Sequence, residues 1–160
     1  MESPRWLDAD EQRAWRAYLR ATELVRDRLD RQLQRDSAMP HAYYEILVRL
    51  SEAPERTLRM HELASLAQAS RSRLSHAVAR LEQLGWVERR ECPTDRRGQL
   101  AALTEAGFAA LAAAAPGHVE AVRRALFDPL TPAQVAQLRA ICEAVAGAGE
   151  AATSPRSRSG

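Results

Sequence analysis

The stretch SRSRLSHAVARLEQLGWVERRECPTDRRGQLAAL, residues 70–103, decides the fold. Apolar residues recur at three- and four-residue steps through its first half, which predicts an amphipathic helix over 71–84. The residues expected on the buried side of this helix are Leu74, Ala77, Val78, Leu81 and Leu84. Ser70 is a good N-cap, and Gly85 is placed to end the helix in a left-handed conformation.

The pattern changes after Gly85 from a helical period to an extended one. Residues 86–90 and 99–103 are typical of two strands, and the segment 93–98 between them is predicted as a charged turn. Upstream, a short helix is expected at about 60–67. The order is therefore a helix-turn-helix followed by a β-hairpin with an arginine-rich tip, which is a winged helix-turn-helix.

Helices are predicted on both sides of this central segment. A long amphipathic helix is expected over 8–36, a second helix begins at 41, and two more follow Thr104 and Thr131. The Ala-, Gly- and Ser-rich residues 148–160 are expected to form a disordered tail. The predicted fold class is mainly α with a small β-hairpin wing, flanked by N- and C-terminal helices.

Length and composition indicate an ordinary globular protein. The chain has 160 residues, 46% apolar and 28% charged, which excludes fibrous, collagenous and fully disordered classes. No apolar run reaches 18 residues and only two cysteines are present, so we expect a cytoplasmic protein without a membrane partner.

All 23 basic residues are Arg, and residues 56–99 carry a net charge of +4. This basic middle segment indicates an anionic partner.

The polar side of helix 71–84 and the hairpin tip have the chemistry of DNA recognition. A helix fits the major groove, which is about 12 Å wide, and arginine pairs there with guanine. Arginine at the hairpin tip is favoured in the minor groove by its negative potential. The predicted partner is double-stranded DNA, and the predicted contacts are Ser70, Arg71, Ser72, Arg73, Ser75, His76, Arg96 and Arg97.

The order and spacing of short motifs between residues 59 and 107 resemble the MarR family of bacterial transcription regulators. The motifs are His61-Glu62-Leu63-Ala64, Ser70-Arg71-Ser72-Arg73-Leu74, Arg80-Leu81-Glu82, Gly85-Trp86-Val87-Glu88-Arg89, Asp95-Arg96-Arg97-Gly98 and Leu103-Thr104-Glu105-Ala106-Gly107. The flanking helices also match the family plan, so the resemblance covers about residues 8–147.

The resemblance implies a homodimer on a pseudo-palindromic operator. Segments 8–36 and 104–147 would form the helical dimerisation region, and 41–103 would form the DNA-binding domain. In the family's wing pattern, Asp95 would be a brace and Arg97 would enter the minor groove. Arg96 would contact the DNA backbone or add a second contact at the tip. Glu82 and Arg80 match family positions that are largely structural.

The resemblance also implies a repressor that is released by a small aromatic or phenolic ligand. Many family members bind such molecules in a cleft between the dimer helices and the DNA-binding lobe, where aromatic walls and one cationic group suit an aromatic acid. The residues that could line this cleft are Trp15, Arg16, Tyr18, His41, Tyr43 and Tyr44. The alternative for the aromatic residues is an ordinary place in the core.

A redox switch is a second alternative, because some family members use a reactive cysteine. Cys92 lies close in sequence to Arg89, Arg90 and Arg96, and positive charge favours the reactive thiolate. Cys142, on the apolar side of the last helix, is expected in the core.

Other classes have less support. A winged-helix module that binds protein instead of DNA is an alternative, but Arg71, Arg73 and Arg97 favour DNA. His61-Glu62 begins like a zinc-protease motif, yet Ser65 stands where the second histidine is needed. The sequence has no phosphate-binding glycine loop and no nucleophile elbow. We therefore predict no enzyme activity, no cofactor and no metal.

Overall fold

A computed structural model describes residues 3–67, 69–92 and 95–153. Within these residues the chain forms six α-helices and three short strands, so the predicted mainly α fold with a small wing is confirmed. The helices are α1 (Ala9–Ser37), α2 (His41–Glu52), α3 (Met60–Leu66), α4 (Arg71–Gln83), α5 (Glu105–Val122) and α6 (Pro132–Thr153). The strands are β1 (Thr57–Arg59), β2 (Val87–Cys92) and β3 (Asp95–Leu103). The chain divides into two compact units between Ala121 and Val122.

Helix α1 is covered by its own chain only near its C-terminal end. A capping box begins the helix, in which Asp8 accepts from the backbone N–H of Glu11 at 2.8 Å and Glu11 accepts from that of Asp8 at 2.9 Å. Leu29 and Leu33 are buried, whereas Trp15, Tyr18, Leu19 and Leu24, nearer the N-terminus, are exposed. The first half of the helix therefore leaves an apolar surface uncovered in the single chain.

The core forms where helices α1 to α5 converge on the sheet. Its most completely buried side chains are Leu33, Met39, Leu47, Leu50, Leu63, Leu74, Val78 and Leu81. Burying one such side chain stabilises the fold by roughly 1.5–3 kcal/mol. Leu74, Val78 and Leu81 all belong to α4, so this helix is fastened to the core along its whole length.

The sheet has three antiparallel strands in the order β1-β3-β2. Arg89 of β2 and Leu58 of β1 both lie opposite Ala101 of β3. Strand β1 was not predicted. The predicted charged turn over 93–98 was too long, because β3 already begins at Asp95, where it pairs with Cys92 beside an irregularity in the ladder.

A tight junction connects the hairpin to α5 through Thr104. The Thr104 hydroxyl donates to the carbonyl of Gly85 at 2.6 Å and accepts from the backbone N–H of Gly107 at 3.0 Å. Gly85 has a φ of +72°, as expected for the left-handed end of α4. Helix α5 passes so close to the hairpin that a Cβ on Gly107 would lie 2.1 Å from the carbonyl oxygen of Trp86. Only glycine fits at this position.

Two expectations for the C-terminal part were wrong. Helix α6 continues to Thr153, so residues 148–153 are helical and do not belong to a disordered tail. The alanines of this segment have the highest helix propensity, which outweighs the cost of its one glycine, Gly149. Residues 154–160 of that predicted tail lie outside the described residues. Cys142 is exposed instead of buried.

We predict that Gly107→Ala destabilises the protein, because the new methyl group overlaps the backbone of Trp86. Overpacking of this kind costs about 1–3 kcal/mol, and the clash here is with backbone, which gives way least. Urea unfolding followed by circular dichroism measures the loss. Gly147→Ala is the matched control, since a Cβ on Gly147 meets nothing within 4 Å, and it should be neutral or slightly stabilising. Equal unfolding midpoints for Gly107→Ala and the wild type would contradict the prediction.

Candidate nucleic-acid interface

The N-terminal half of α4 presents a polar surface opposite its buried side. Ser70 caps the helix by accepting from the backbone N–H of Arg73 at 3.3 Å. Leu74 is buried, and this fixes the rotation of the helix so that its neighbours in sequence face outward. The exposed residues are Arg71, Ser72, Arg73, Ser75 and His76, with Ser70 exposed at the cap.

An open groove of about 430 Å³ runs between α3, α4 and strand β3. Its lining includes Arg59, His61, Arg71, Ser75, Gly98 and Gln99. Two arginines and one histidine therefore border this open groove. Arg59, His61 and Gln99 were not predicted as site residues. The net positive charge of segment 56–99 was the only feature of the sequence that indicated a role for Arg59 in binding an anionic partner.

The predicted wing-tip contacts lie at the start of β3. Asp95, Arg96 and Arg97 are the first three residues of that strand, directly beyond the groove residues Gly98 and Gln99. Their side chains lie outside the described part of the molecule. The brace function of Asp95 and the DNA contacts of Arg96 and Arg97 therefore stay predictions.

The structure separates the predicted effector residues into two groups. Trp15, Arg16 and Tyr18 are exposed in the first half of α1, where the rings of Trp15 and Tyr18 lie 5.9 Å apart. His41, Tyr43 and Tyr44 lie at the start of α2. Tyr18 precedes the first buried residue of α1 by 11 positions, which is about 16 Å along a helix. The single chain does not bring the two groups together.

The second group includes a residue that the sequence analysis missed, His118 of α5. Its ring lies 4.3 Å from the Tyr44 ring and 5.6 Å from the His41 ring, measured between centroids. The Nδ1 atom of His118 is buried, and among the described residues it has no hydrogen-bond partner. His41 is held in place by its backbone N–H, which donates to the Asp30 carboxylate at 2.9 Å. Because α5 is alanine-rich and its residues lie far from α2 in the sequence, no sequence pattern predicted that His118 would join His41 and Tyr44.

Burial shifts the titration of this cluster. Burial lowers the pKa of His118 because it disfavours the charged imidazolium, and the nearby positive charge of His41 lowers this pKa further. Burial also raises the pKa of Tyr44. The lowered pKa of His118 and the raised pKa of Tyr44 both favour the neutral forms of these two side chains near pH 7.

Cys92 occupies a position that does not suit a redox sensor. The residue is 7% exposed at the end of β2, whereas reactive cysteines are partly accessible. Within residues 3–67, 69–92 and 95–153, no group of three or more His, Cys, Asp or Glu side chains could hold a metal ion. No helix of the described chain is long and apolar enough to cross a membrane.

Helix α3, the turn, helix α4 and the β2–β3 hairpin together define a winged helix-turn-helix protein. A sequence model of the MarR family matches residues 39–98. No match was found among curated proteins.

Solved structures extend the similarity over nearly the whole chain. Sco3205, a MarR family transcriptional regulator from Streptomyces coelicolor solved in complex with DNA, is 58% identical, with 91% of each chain covered and a TM-score of 0.85. AbsC, a MarR family regulator from the same organism, is 38% identical over 92% of this chain and 99% of its own, with a TM-score of 0.85. CouR from Rhodococcus jostii RHA1, solved bound to p-coumaroyl-CoA, is 25% identical over 81% of this chain and 89% of its own, with a TM-score of 0.70. The chain belongs to the MarR family of transcriptional regulators.

We predict that acid destabilises the protein through His118. The pKa of His118 is lowered in the folded state, so the unfolded chain binds the proton more readily. The free energy of unfolding therefore falls as the pH drops below the ordinary histidine range, near 6.5. Urea midpoints at pH 7.5 and 5.5 measure this loss, and His118→Gln should reduce it.

The control for this experiment is His76→Gln, which changes an exposed histidine on α4. This variant should keep the pH dependence of the wild type. An equally steep loss of stability in His118→Gln and the wild type would show that His118 is not responsible.

Proposed function

We propose that the protein is a dimeric, sequence-specific DNA-binding repressor whose release from its operator is triggered by a small aromatic or phenolic ligand. The observation that carries the proposal is the exposed polar surface of α4, beside a groove bordered by Arg59 and Arg71. The similarity to Sco3205, which was solved in complex with DNA, supports it.

The first half of α4 would enter the major groove. Arg71 and Arg73 project from its first turn, and a guanidinium pairs with the two acceptors of guanine through two parallel hydrogen bonds. Ser72 and His76 are exposed on the same half of the helix and would add base or phosphate contacts. The adjacent groove would hold the DNA backbone, because its arginines neutralise phosphate charge.

The wing would read the neighbouring minor groove. Strand β3 begins with Asp95, Arg96 and Arg97, so the hairpin ends in two adjacent cations. We assign the minor-groove contact to Arg97, a backbone contact to Arg96 and the brace to Asp95. The negative potential of a narrow minor groove favours an inserted arginine.

Two copies of the chain would bind together. Apolar side chains remain exposed on two separate helices, Trp15, Tyr18, Leu19 and Leu24 on α1 and Ile141 and Val145 on α6. Exposed apolar side chains clustered on one helix are typical of an interaction site. We propose that residues 8–36 and 104–147 supply the dimer interface and 41–103 the DNA-binding domain. A two-fold dimer would require a pseudo-palindromic operator.

The effector would act at the start of α2. His41, Tyr43 and Tyr44 combine aromatic rings with a basic group, which suits a small aromatic acid. The similarity to CouR, solved bound to p-coumaroyl-CoA, supports an aromatic ligand. Binding would change the orientation of the two α4 helices, and DNA affinity would fall by the ratio of the ligand affinities of the two states.

We predict tight, salt-dependent binding to a duplex from the gene's own upstream region, and weaker binding to a scrambled duplex. Fluorescence anisotropy over a salt series measures both, and sedimentation equilibrium should give two chains per particle.

Arg73→Ala should weaken binding to the operator by about 1–3 kcal/mol and relax the sequence specificity, and Arg97→Ala should reduce the salt slope by about one. Arg49→Ala, an exposed arginine on α2, is the matched control and should change little.

Three results would count against this proposal. An equal loss on operator and scrambled duplex for Arg73→Ala would make Arg73 a phosphate contact. An unchanged salt slope for Arg97→Ala would remove its minor-groove assignment. If the protein does not prefer the upstream duplex to the scrambled one, an operator is sought by selection from random duplex sequences. Failure of the protein to bind any duplex at low salt would favour a protein-interaction module.

We predict that a member of a panel of aromatic carboxylic acids and phenols binds the protein and weakens its DNA complex. Titration calorimetry measures ligand binding, and anisotropy measures the displacement of DNA. His41→Ala should weaken ligand binding while leaving DNA affinity without ligand unchanged. A ligand that displaces DNA equally well from the wild type and from His41→Ala would place the effector site elsewhere.

A further inference from the structure

Arg89 of β2 contacts helix α4 at two points. Its Nη2 atom donates to the carbonyl of Ser75 at 2.9 Å and lies 3.3 Å from the Ser75 hydroxyl oxygen. Its Nε atom lies 3.2 Å from the Glu82 carboxylate, which also accepts from the Arg89 backbone N–H at 3.2 Å. Ser75 and Glu82 are seven residues apart, about two turns of the helix, and Arg89 contacts both because the Glu82 side chain reaches towards it. We call Arg89, Ser75 and Glu82 the Arg89 bracket.

The Arg89–Glu82 pair of the bracket is less exposed than the ion pair beside it in the sequence. The side chains of Arg89 and Glu82 are 26% and 33% exposed. Those of Arg90 and Glu88, which pair along β2 itself, are 57% and 49% exposed. Exposed pairs within one element are screened and contribute little. The bracket joins two elements. The Arg89 Nε contact with Glu82 is an ion pair without a hydrogen bond, whereas the bonds from the guanidinium to Ser75 and from the Arg89 backbone to the Glu82 carboxylate each involve a charged group, which strengthens them.

The bracket lies where it can control the groove. Ser75 lines the groove on the α4 side, and Gly98 and Gln99 of β3 line the opposite side. Strand β3 is tied to β2 by the ladder in which Arg89 lies opposite Ala101. The position of β2 against α4 therefore determines the distance and angle across the groove.

We propose that Arg89 is a positioning residue that sets the hairpin wing at a fixed distance and angle from α4. The proposal rests on the DNA binding proposed above. Because Arg89 is directed at α4 and paired with Glu82, it acts through the geometry of the two DNA-reading elements and not as a phosphate contact. The Ser75 hydroxyl oxygen, close to Arg89, is then partly committed to the bracket.

The test compares Arg89→Met with Arg90→Met, which removes the same charge from the next residue of the same strand. We expect Arg89→Met to lower the ratio of operator to scrambled-duplex affinity about tenfold, with the salt slope of the wild type. Arg90→Met should leave this ratio nearly unchanged. Equal ratios for the two variants, or a salt slope reduced by one in Arg89→Met, would overturn the proposal.

A distance measurement on the free protein tests the positioning without DNA. Spin labels are attached to cysteines introduced at two exposed positions, Gln83→Cys on α4 and Glu91→Cys on β2, and the distance between the two labels is measured. The exposed Cys142 is replaced by Ser so that it is not labelled. Arg89→Met should broaden the distribution of distances, and Arg90→Met should not. Unchanged distributions in both would overturn the proposal.

A milder variant guards against loss of folding. If Arg89→Met fails to fold, Arg89→Lys takes its place in the distance measurement. This variant keeps the charge, but its single amino group cannot contact Ser75 and Glu82 together, so the distribution of spin-label distances should still broaden. Broadened distances in a protein that binds no duplex would refute the proposed function and leave the positioning of the hairpin by Arg89 supported.

Discussion

Burial of Leu74, Val78 and Leu81 holds α4 against the core, and the candidate interface depends on this contact. A helix with three buried side chains on one stripe cannot rotate about its axis without exposing them. That restriction decides which side chains face outward. Arg71, Arg73 and His76 are presented to solvent because Leu74, Val78 and Leu81 occupy the buried side of the same helix. The same apolar contact that stabilises the domain therefore also selects the residues available to a partner.

The sheet carries this orientation from α4 to the wing. Strand β3 lies between the two other strands, so the hairpin is anchored on both sides at its base. Thr104 and Gly107 then join the base to α5 through a contact so close that it admits no side chain. Buried side chains hold α4 against the core, Arg89 contacts α4 from β2, and α5 packs closely against Trp86. The positions of α4, β2 and α5 therefore depend on one another.

Local patterns predicted most of the fold, and long-range contacts account for what they missed. Helix α4 was expected over 71–84 and ends at Gln83, since its period, cap and terminating glycine are all local. Strand β1 is three residues long and gains its order from β3, more than forty residues later. His118 joins His41 and Tyr44 only when α5 folds back on α2, and no spacing in the sequence announces that contact. Exposed Trp15 and Tyr18 follow a helical stripe that a single chain does not cover.

The strand order has a further consequence for solubility. Strands β1 and β2 form the two edges of the sheet, and an open edge can recruit a strand from another molecule. Strand β1 offers only three residues, too few for a stable pairing. Strand β2 is longer, but Glu88, Arg90 and Glu91 are exposed along it, and its ladder is irregular near Cys92. Charges of both signs and a break in regularity are the devices by which β-proteins resist aggregation, so the outer edge of β2 is a poor template for strands from other molecules.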